Sequence, residues 1–297
     1  MPHRPTKGDR PRRLRAEQAG PPLAYHGEGP VWCPADGCLR WMDMLAGDIL
    51  ARRHTDGAIE RTAVGRVAAA ARPRQNGGFV VAVERGFALI EPGSAEVHRL
   101  PELWSDPQVR MNEGGCDLHG RFYCGSMDYG AAPGRGALYR LDPDLSATRI
   151  LDGVTISNGL AWTPSGDRAY YVDTPTHRVD AFDVAPDGEL GERRAFVEIP
   201  PEQGNPDGIC LDTEGGVWVA LWDGAAVHRY TSGGRLDTVV ELPVPRPTAC
   251  TFAGPDLSEL YITTSAENLD TERWPQAGAL FRVVPGAVGM APLEFAG

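Results

Sequence analysis

Six stretches of the chain repeat one layout at intervals of 41 to 49 residues, and a chain built in that way has few architectures open to it. In each, an anchor residue, usually polar, leads an apolar pair. A polar turn follows about eight residues on, and then an aromatic or β-branched run. The turns read "PADG", "RQNGG", "DLHG", "TPSG", "DTEGG" and "GPDLS". Counting back from them gives the anchors Glu28, Ala69, Asn112, Asn158, Asp207 and Thr248, spaced 41, 43, 46, 49 and 41 residues apart.

A period of about 40–50 residues is that of a four-stranded propeller blade. Runs such as "GFVVAVE" (78–84), "RAYYVDT" (168–174) and "GVWVALW" (216–222) are strand-like and bounded by Gly, Pro, Asn and Asp, while sustained helical periodicity is scarce. The expected fold is all-β: a six-bladed β-propeller over residues 21–297, preceded by a disordered basic tail over residues 1–20. The closing "APLEFAG" is expected to pair with a strand from the other end of the chain.

The first strand of a blade lines the central channel of a propeller, so equivalent positions form a ring facing the axis. Five of the six anchors are polar or charged. Glu28, Asn158 and Asp207 are each followed by glycine, which permits a sharp turn and close approach of a ligand. Two carboxylates and an amide carbonyl make an all-oxygen set suited to a hard divalent cation in the channel. A cation also accounts for the acids, because two buried carboxylates would otherwise raise each other's pKa.

Read alone, Asn158–Gly159 is a type I′ hairpin turn, "PDG" at 206–208 a turn, and "GEGP" at 27–30 a loop with a solvated Glu. A second turn signal at 163–166, and the register shared by the repeats, favour the channel site. The segment 110–128 places Arg110, Asn112 and Glu113 together. Arg and Asn offer directional donors for a polyhydroxylated or carboxylated ligand, the alternative being a surface ion pair and a turn cap. His26 is the one histidine beside an anchor.

Other classes fit poorly. A net charge of −11 argues against duplex nucleic acid as a partner. No apolar run reaches the roughly 18 residues that span a bilayer, and the Arg- and Pro-rich first 20 residues do not read as a secretory signal. The six cysteines show no CxxC pair, so they read as buried thiols of a reducing compartment, with a Cys33–Cys38 disulfide across a hairpin as the alternative. No G-x-S-x-G elbow, P-loop or dinucleotide fingerprint is present.

Five motifs, "GEGPVW", "RMNEGGCDLHGRFYCGSM", "ISNGLAWTPSGDRAYYVDT", "PDGICLDTEGGVWVA" and "APLEFAG", stand in order over residues 20–297 and together resemble the regucalcin/gluconolactonase family of sugar lactonases. The resemblance implies a six-bladed propeller with one divalent metal ion on Glu28, Asn158 and Asp207. It also implies sugar-lactone hydrolysis, with Arg110 and Asn112 at the positions of family substrate-binding residues. This chain departs in having Asn112-Glu113-Gly114 where the family commonly has Asn-Asp-Gly. A substrate-contacting acid found in some members aligns with "MDYGAAPG", where Asp128 or Tyr129 is available.

The resulting expectation is a cytoplasmic lactonase that opens an aldonolactone such as gluconolactone or xylonolactone, with Ca²⁺, Mg²⁺, Mn²⁺ or Zn²⁺ as cofactor. Asp207 is expected to orient or deprotonate the attacking water, and Arg110, Asn112 and Asp128 to bind the sugar. Its partner is the small-molecule lactone, with no nucleic acid or membrane, in a monomer or weak homo-oligomer. A non-catalytic calcium-binding propeller is the competing expectation, and hydrolysis of another activated ester a third.

Overall fold

In a computed structural model that describes residues 10–297, the repeats are six blades, each a sheet whose strands run outward from the axis. Their inner strands are Gly27–Cys33, Ala68–Pro73, Val109–Cys116, Ser157–Trp162, Asn205–Leu211 and Pro247–Ala253. Each of the six expected turns follows one of these strands and leads into the second strand of the same blade. Neighbouring inner strands touch all the way round, with that of blade 6 against that of blade 1, so the ring is closed.

Apolar side chains of one blade pack on the next. Phe87 meets Phe122 edge-on between blades 2 and 3 at 5.7 Å, and Trp218 meets Phe252 between blades 5 and 6 at 5.6 Å. Such aromatic pairs add to the area they bury.

Closure uses the amino-terminal segment. Glu17–Gln18 pairs antiparallel with Phe281–Val283 and supplies the outermost strand of blade 6. Arg12–Arg15 runs parallel to Leu236–Glu241 and adds a fifth strand to blade 5. The expected disordered tail is therefore corrected for this stretch, and its residues 1–9 lie outside the described residues. A charged sequence forms these strands because the open edges of blades 5 and 6 offer unpaired backbone groups. Side chains help: Leu14 packs on the core between those blades, and Arg13 meets Glu241 at 2.6 Å.

The carboxyl-terminal segment has a different partner from the one expected. Phe295 donates to Pro73 O at 2.9 Å and accepts from Gln75 N at 2.8 Å, so "APLEFAG" joins the end of blade 2's inner strand. Its aromatic ring, fully buried in the core of blades 2 and 3, decides that placement. Upstream, Val288 O accepts from Thr213 N in blade 5 at 2.8 Å, Gly289 N donates to Leu257 O in blade 6 at 2.8 Å, and Ala296 N donates to Gly120 O in blade 3 at 2.9 Å. Residues 288–297 thus strap four blades across one mouth of the channel.

All six cysteines are free thiols, Cys33 and Cys38 facing each other across a hairpin without a disulfide. Among the described residues no helix is long and apolar enough to cross a membrane.

Candidate active site in the central channel

Every anchor sits where the inner strand slips register against the second strand of its blade. The slips lie between Glu28 and Val31, Ala68 and Ala70, Met111 and Gly114, Ser157 and Leu160, Pro206 and Ile209, and Pro247 and Ala249. A β-bulge leaves a residue outside the ladder and re-aims its side chain. Four anchors, Glu28, Asn112, Asn158 and Asp207, line one cavity of about 380 Å³, with Arg110 beside them. The other two serve the scaffold: Ala69 is wholly buried, and Thr248 Oγ1 donates to Gly27 O at 2.6 Å, tying blade 6 to blade 1.

The glycines after the anchors have a different task from the one expected. A Cβ on Gly159 would lie 2.7 Å from Asp207 O and Ile209 N, and one on Gly208 would strike Ala249. Both glycines therefore admit the backbone of the next blade rather than a ligand. Only Gly29, with φ of 46°, uses the left-handed conformation that glycine favours.

The amide of Asn158 has a determined orientation. Thr174 donates its single hydroxyl proton to Pro206 O at 2.9 Å, so toward Asn158, 3.0 Å away, it can only accept. Nδ2 of Asn158 must face Thr174, and Oδ1 is turned the other way. Asn158 Oδ1 and Asp207 Oδ1 are both buried with no hydrogen-bond partner.

Acids crowd this end of the channel. Glu28, Asn158 and Asp207 are 2%, 5% and 4% exposed, and Glu113 is buried nearby. Burial, followed by the charges of Asp207 and Glu113, pushes the Glu28 carboxyl well above the usual range. Burial and the charge of Glu113 do the same for Asp207, against weaker opposing pulls from the Asn158 amide, Gly208 N–H and Arg110. His26 is pushed down to about 3 by burial and by Arg110 and Arg246, so it stands neutral, with Nε2 3.6 Å from Glu28 Oε1.

Arg110 and Asn112 are joined. Arg110 Nη1 donates to Asn112 Oδ1 at 2.7 Å and to Met111 O at 2.9 Å, while Asn112 Nδ2 donates to Ser157 O at 2.9 Å. The amide is thus a strut between blades 3 and 4 that holds the guanidinium, whose buried Nε has no partner. Asp128 stands apart from this group. It is absent from the cavity wall; its Oδ1 accepts from Gly130 N at 2.8 Å and its Oδ2 lies 3.2 Å from Arg135 Nε.

Sequence reasoning missed much of the rest of the wall, Thr174, Trp222 and Glu267 among it. Thr174 and Trp222 follow or end the second strands of blades 4 and 5, and Glu267 follows that of blade 6, on the same side of the propeller. The signal available was positional: each lies at the far end of the hairpin whose inner strand carries an anchor.

These features define a class: a six-bladed propeller with an oxygen-rich, acid-and-amide pocket at the axis. The chain belongs to the SMP-30/gluconolactonase/LRE-like family, whose model matches residues 26–266. Regucalcin of Danio rerio is 36% identical over 280 residues, which cover 91% of this chain and 95% of that protein. A regucalcin from Agrobacterium tumefaciens, described as a calcium-binding protein, superposes with a TM-score of 0.90 at 26% identity, covering 96% of this chain and 99% of its own. A luciferin-regenerating enzyme superposes with a TM-score of 0.84 at 26% identity, covering 92% and 96%.

A divalent cation fits the residues present. Among the described residues no three His, Cys, Asp or Glu side chains gather as a metal cage. The donor set here is instead mixed, two carboxylates and one amide oxygen, a combination that hard cations accept. Two of these side chains carry a buried oxygen without a partner, and for Glu28 and Asp207 the opposing charge of Arg110 is the weakest of the influences acting on them.

Proposed function

We propose that the protein is a divalent-cation-dependent lactonase that opens an aldonolactone, such as gluconolactone or xylonolactone, to the aldonic acid. The observation that carries this reading is the pair of bare, buried oxygens, Asn158 Oδ1 and Asp207 Oδ1, on one cavity wall with Glu28 and the Arg110 guanidinium.

Glu28, Asn158 and Asp207 would hold Ca²⁺, Mg²⁺, Mn²⁺ or Zn²⁺, among which an oxygen set chooses weakly. The bound cation supplies positive charge for the oxygen that becomes negative when a lactone carbonyl is attacked. Asp207 accepts a hydrogen bond from the attacking water, aims it and takes its proton, and returns that proton to the ring oxygen as the ring C–O bond breaks. Arg110, locked by Asn112 and Met111 O, directs its free N–H at the substrate and fixes the face exposed to attack, an orientation effect of several kcal/mol. Burial of the acids keeps competing water from weakening these contacts.

The calcium-binding description of the Agrobacterium relative favours a second reading, a cation store without chemistry. Arg110 speaks against it. A guanidinium in the same low-dielectric cavity opposes cation binding and has a use only if an anionic or oxygen-bearing ligand also enters. The deciding experiment compares wild type with Asp207→Ala by titrating the acid released from glucono-1,5-lactone. The lactonase reading requires loss of at least about 100-fold in rate in a protein that still folds; near-native rates in the variant contradict it.

A further inference from the structure

The cavity needs an acceptor for sugar hydroxyls, and the residues expected to recognise the sugar do not provide one. Asp128 is turned away and engaged by Gly130 and Arg135. Asn112 is bonded at both ends of its amide. A hydroxyl both donates and accepts, so a site with only the Arg110 donors would satisfy half of it.

Glu267 supplies the missing half. It lines the same cavity, with a side chain 30% exposed. Its backbone is fixed on both sides: Glu267 N donates to Ser265 Oγ at 3.0 Å, and its carbonyl accepts from Arg246. Nδ1 of the neutral His26 lies 3.7 Å away, beyond hydrogen-bond range, and is already bonded to Ser265 Oγ at 2.8 Å, while Arg110 acts on Glu267 through charge without a hydrogen bond. The carboxylate oxygens therefore keep their acceptor capacity for something in the cavity.

Trp222 stands beside it. The Arg246 guanidinium lies over the indole ring at 4.6 Å and His26 meets the ring edge-on at 5.8 Å, so the ring is held as a flat apolar wall. The C–H faces of a sugar ring pack on such a surface. Arg246 thus sets both the indole and the Glu267 backbone, which makes the two residues one rigid unit.

We propose that Glu267 and Trp222 form the sugar-recognition wall of the site, Glu267 accepting hydrogen bonds from hydroxyls of the substrate and Trp222 packing on its ring. The inference rests on the lactonase reading and deepens it by assigning the residues that read the sugar hydroxyls and ring. Both residues position the substrate and take no part in bond making.

The test uses Glu267→Ala and Glu267→Gln with two substrates, glucono-1,5-lactone and δ-valerolactone, which lacks hydroxyls. A charge-assisted hydrogen bond corresponds to about tenfold in affinity. KM for gluconolactone should rise about tenfold in Glu267→Ala and by less in Glu267→Gln, with kcat nearly constant and valerolactone kinetics unchanged. Equal effects on both lactones, or none, overturn the proposal. Calorimetry with D-glucitol separates it from the lactonase reading. Wild-type binding that weakens in Glu267→Ala, in a protein that hydrolyses no lactone, would leave the wall standing and remove the enzyme. Equal glucitol binding by both proteins, or binding by neither, overturns the wall.

Discussion

Asn158 and Thr174 are joined by a hydrogen bond whose direction is fixed: Thr174 Oγ1, its proton committed to Pro206 O, accepts from Asn158 Nδ2 at 3.0 Å. This contact presents a bare amide oxygen to the channel, and the proposed cation site depends on it. Thr174→Val keeps the shape and removes the acceptor, which frees the amide to flip. Loss of one oriented ligand contact should weaken divalent-cation binding about tenfold in calorimetry, whereas Thr174→Ser should bind like wild type. Equal affinities in Val and wild type would show that the amide orientation is irrelevant.

The pH response of cation-free protein has a definite sign. Glu28, Glu113 and Asp207 are all raised by burial in the folded state. The native protein therefore holds more protons than the unfolded chain above the ordinary carboxylate range, and stability falls as pH rises through that window. His26 and His228, kept neutral by burial, act the other way below about pH 6.5. They are two groups against three acids, so in EDTA the midpoint of thermal unfolding should still be higher near pH 5 than near pH 7. Added Ca²⁺ should cancel much of the difference, since binding to the native state stabilises it.

At the acid end the sign reverses for Asp212. Burial alone would raise it, but Arg229, Gly216 N–H and the Trp218 indole hold it below its usual value. Its stabilisation is present above the ordinary Asp pKa and lost as pH falls through the lower folded value. Arg229→Met should remove that partner and cost about 3 kcal/mol in urea unfolding at pH 7. A cost under about 1 kcal/mol would mean that the buried pair is dispensable.

Gly159 tests the packing of blade on blade. The methyl of Gly159→Ala would press on Asp207 O and Ile209 N, backbone atoms of a central strand that cannot swing aside. Destabilisation of about 3 kcal/mol is expected, with cation affinity reduced because Asp207 moves. An unchanged urea midpoint would show that the blades separate freely.

The strap at the closed mouth has its own test. Phe295 is fully buried in the core of blades 2 and 3, so Phe295→Ala should cost about 3–5 kcal/mol without touching the cavity that holds Glu28. Lactone KM should stay at the wild-type value while the urea midpoint drops.

The legible part of the fold was its period. Glu28, Asn112, Asn158 and Asp207 were found by spacing because each lies at a bulge, and a bulge at one position per blade is a feature of the repeat itself. Residues whose place depends on another blade escaped. The role of Gly159 lies in its distance to Asp207, and the strands at 12–15 and 17–18 form only because blades 5 and 6 offer open edges. Asp128 looked available in sequence, yet Arg135 and Gly130 take its oxygens, while Glu267, with no motif around it, reaches the cavity.

Under the proposed function, cation binding and lactone opening share one site built on Asn158 and Asp207. The most direct measurement is a titration of EDTA-stripped protein with Ca²⁺, Mg²⁺, Mn²⁺ or Zn²⁺, following acid release from glucono-1,5-lactone in wild type and in Asn158→Leu. Stripped wild type should be inactive, activity should return in proportion to occupancy of one site, and Asn158→Leu should need far more cation for the same rate. Full activity in EDTA, or an Asn158→Leu protein that binds cation and hydrolyses lactone like wild type, would contradict the shared site.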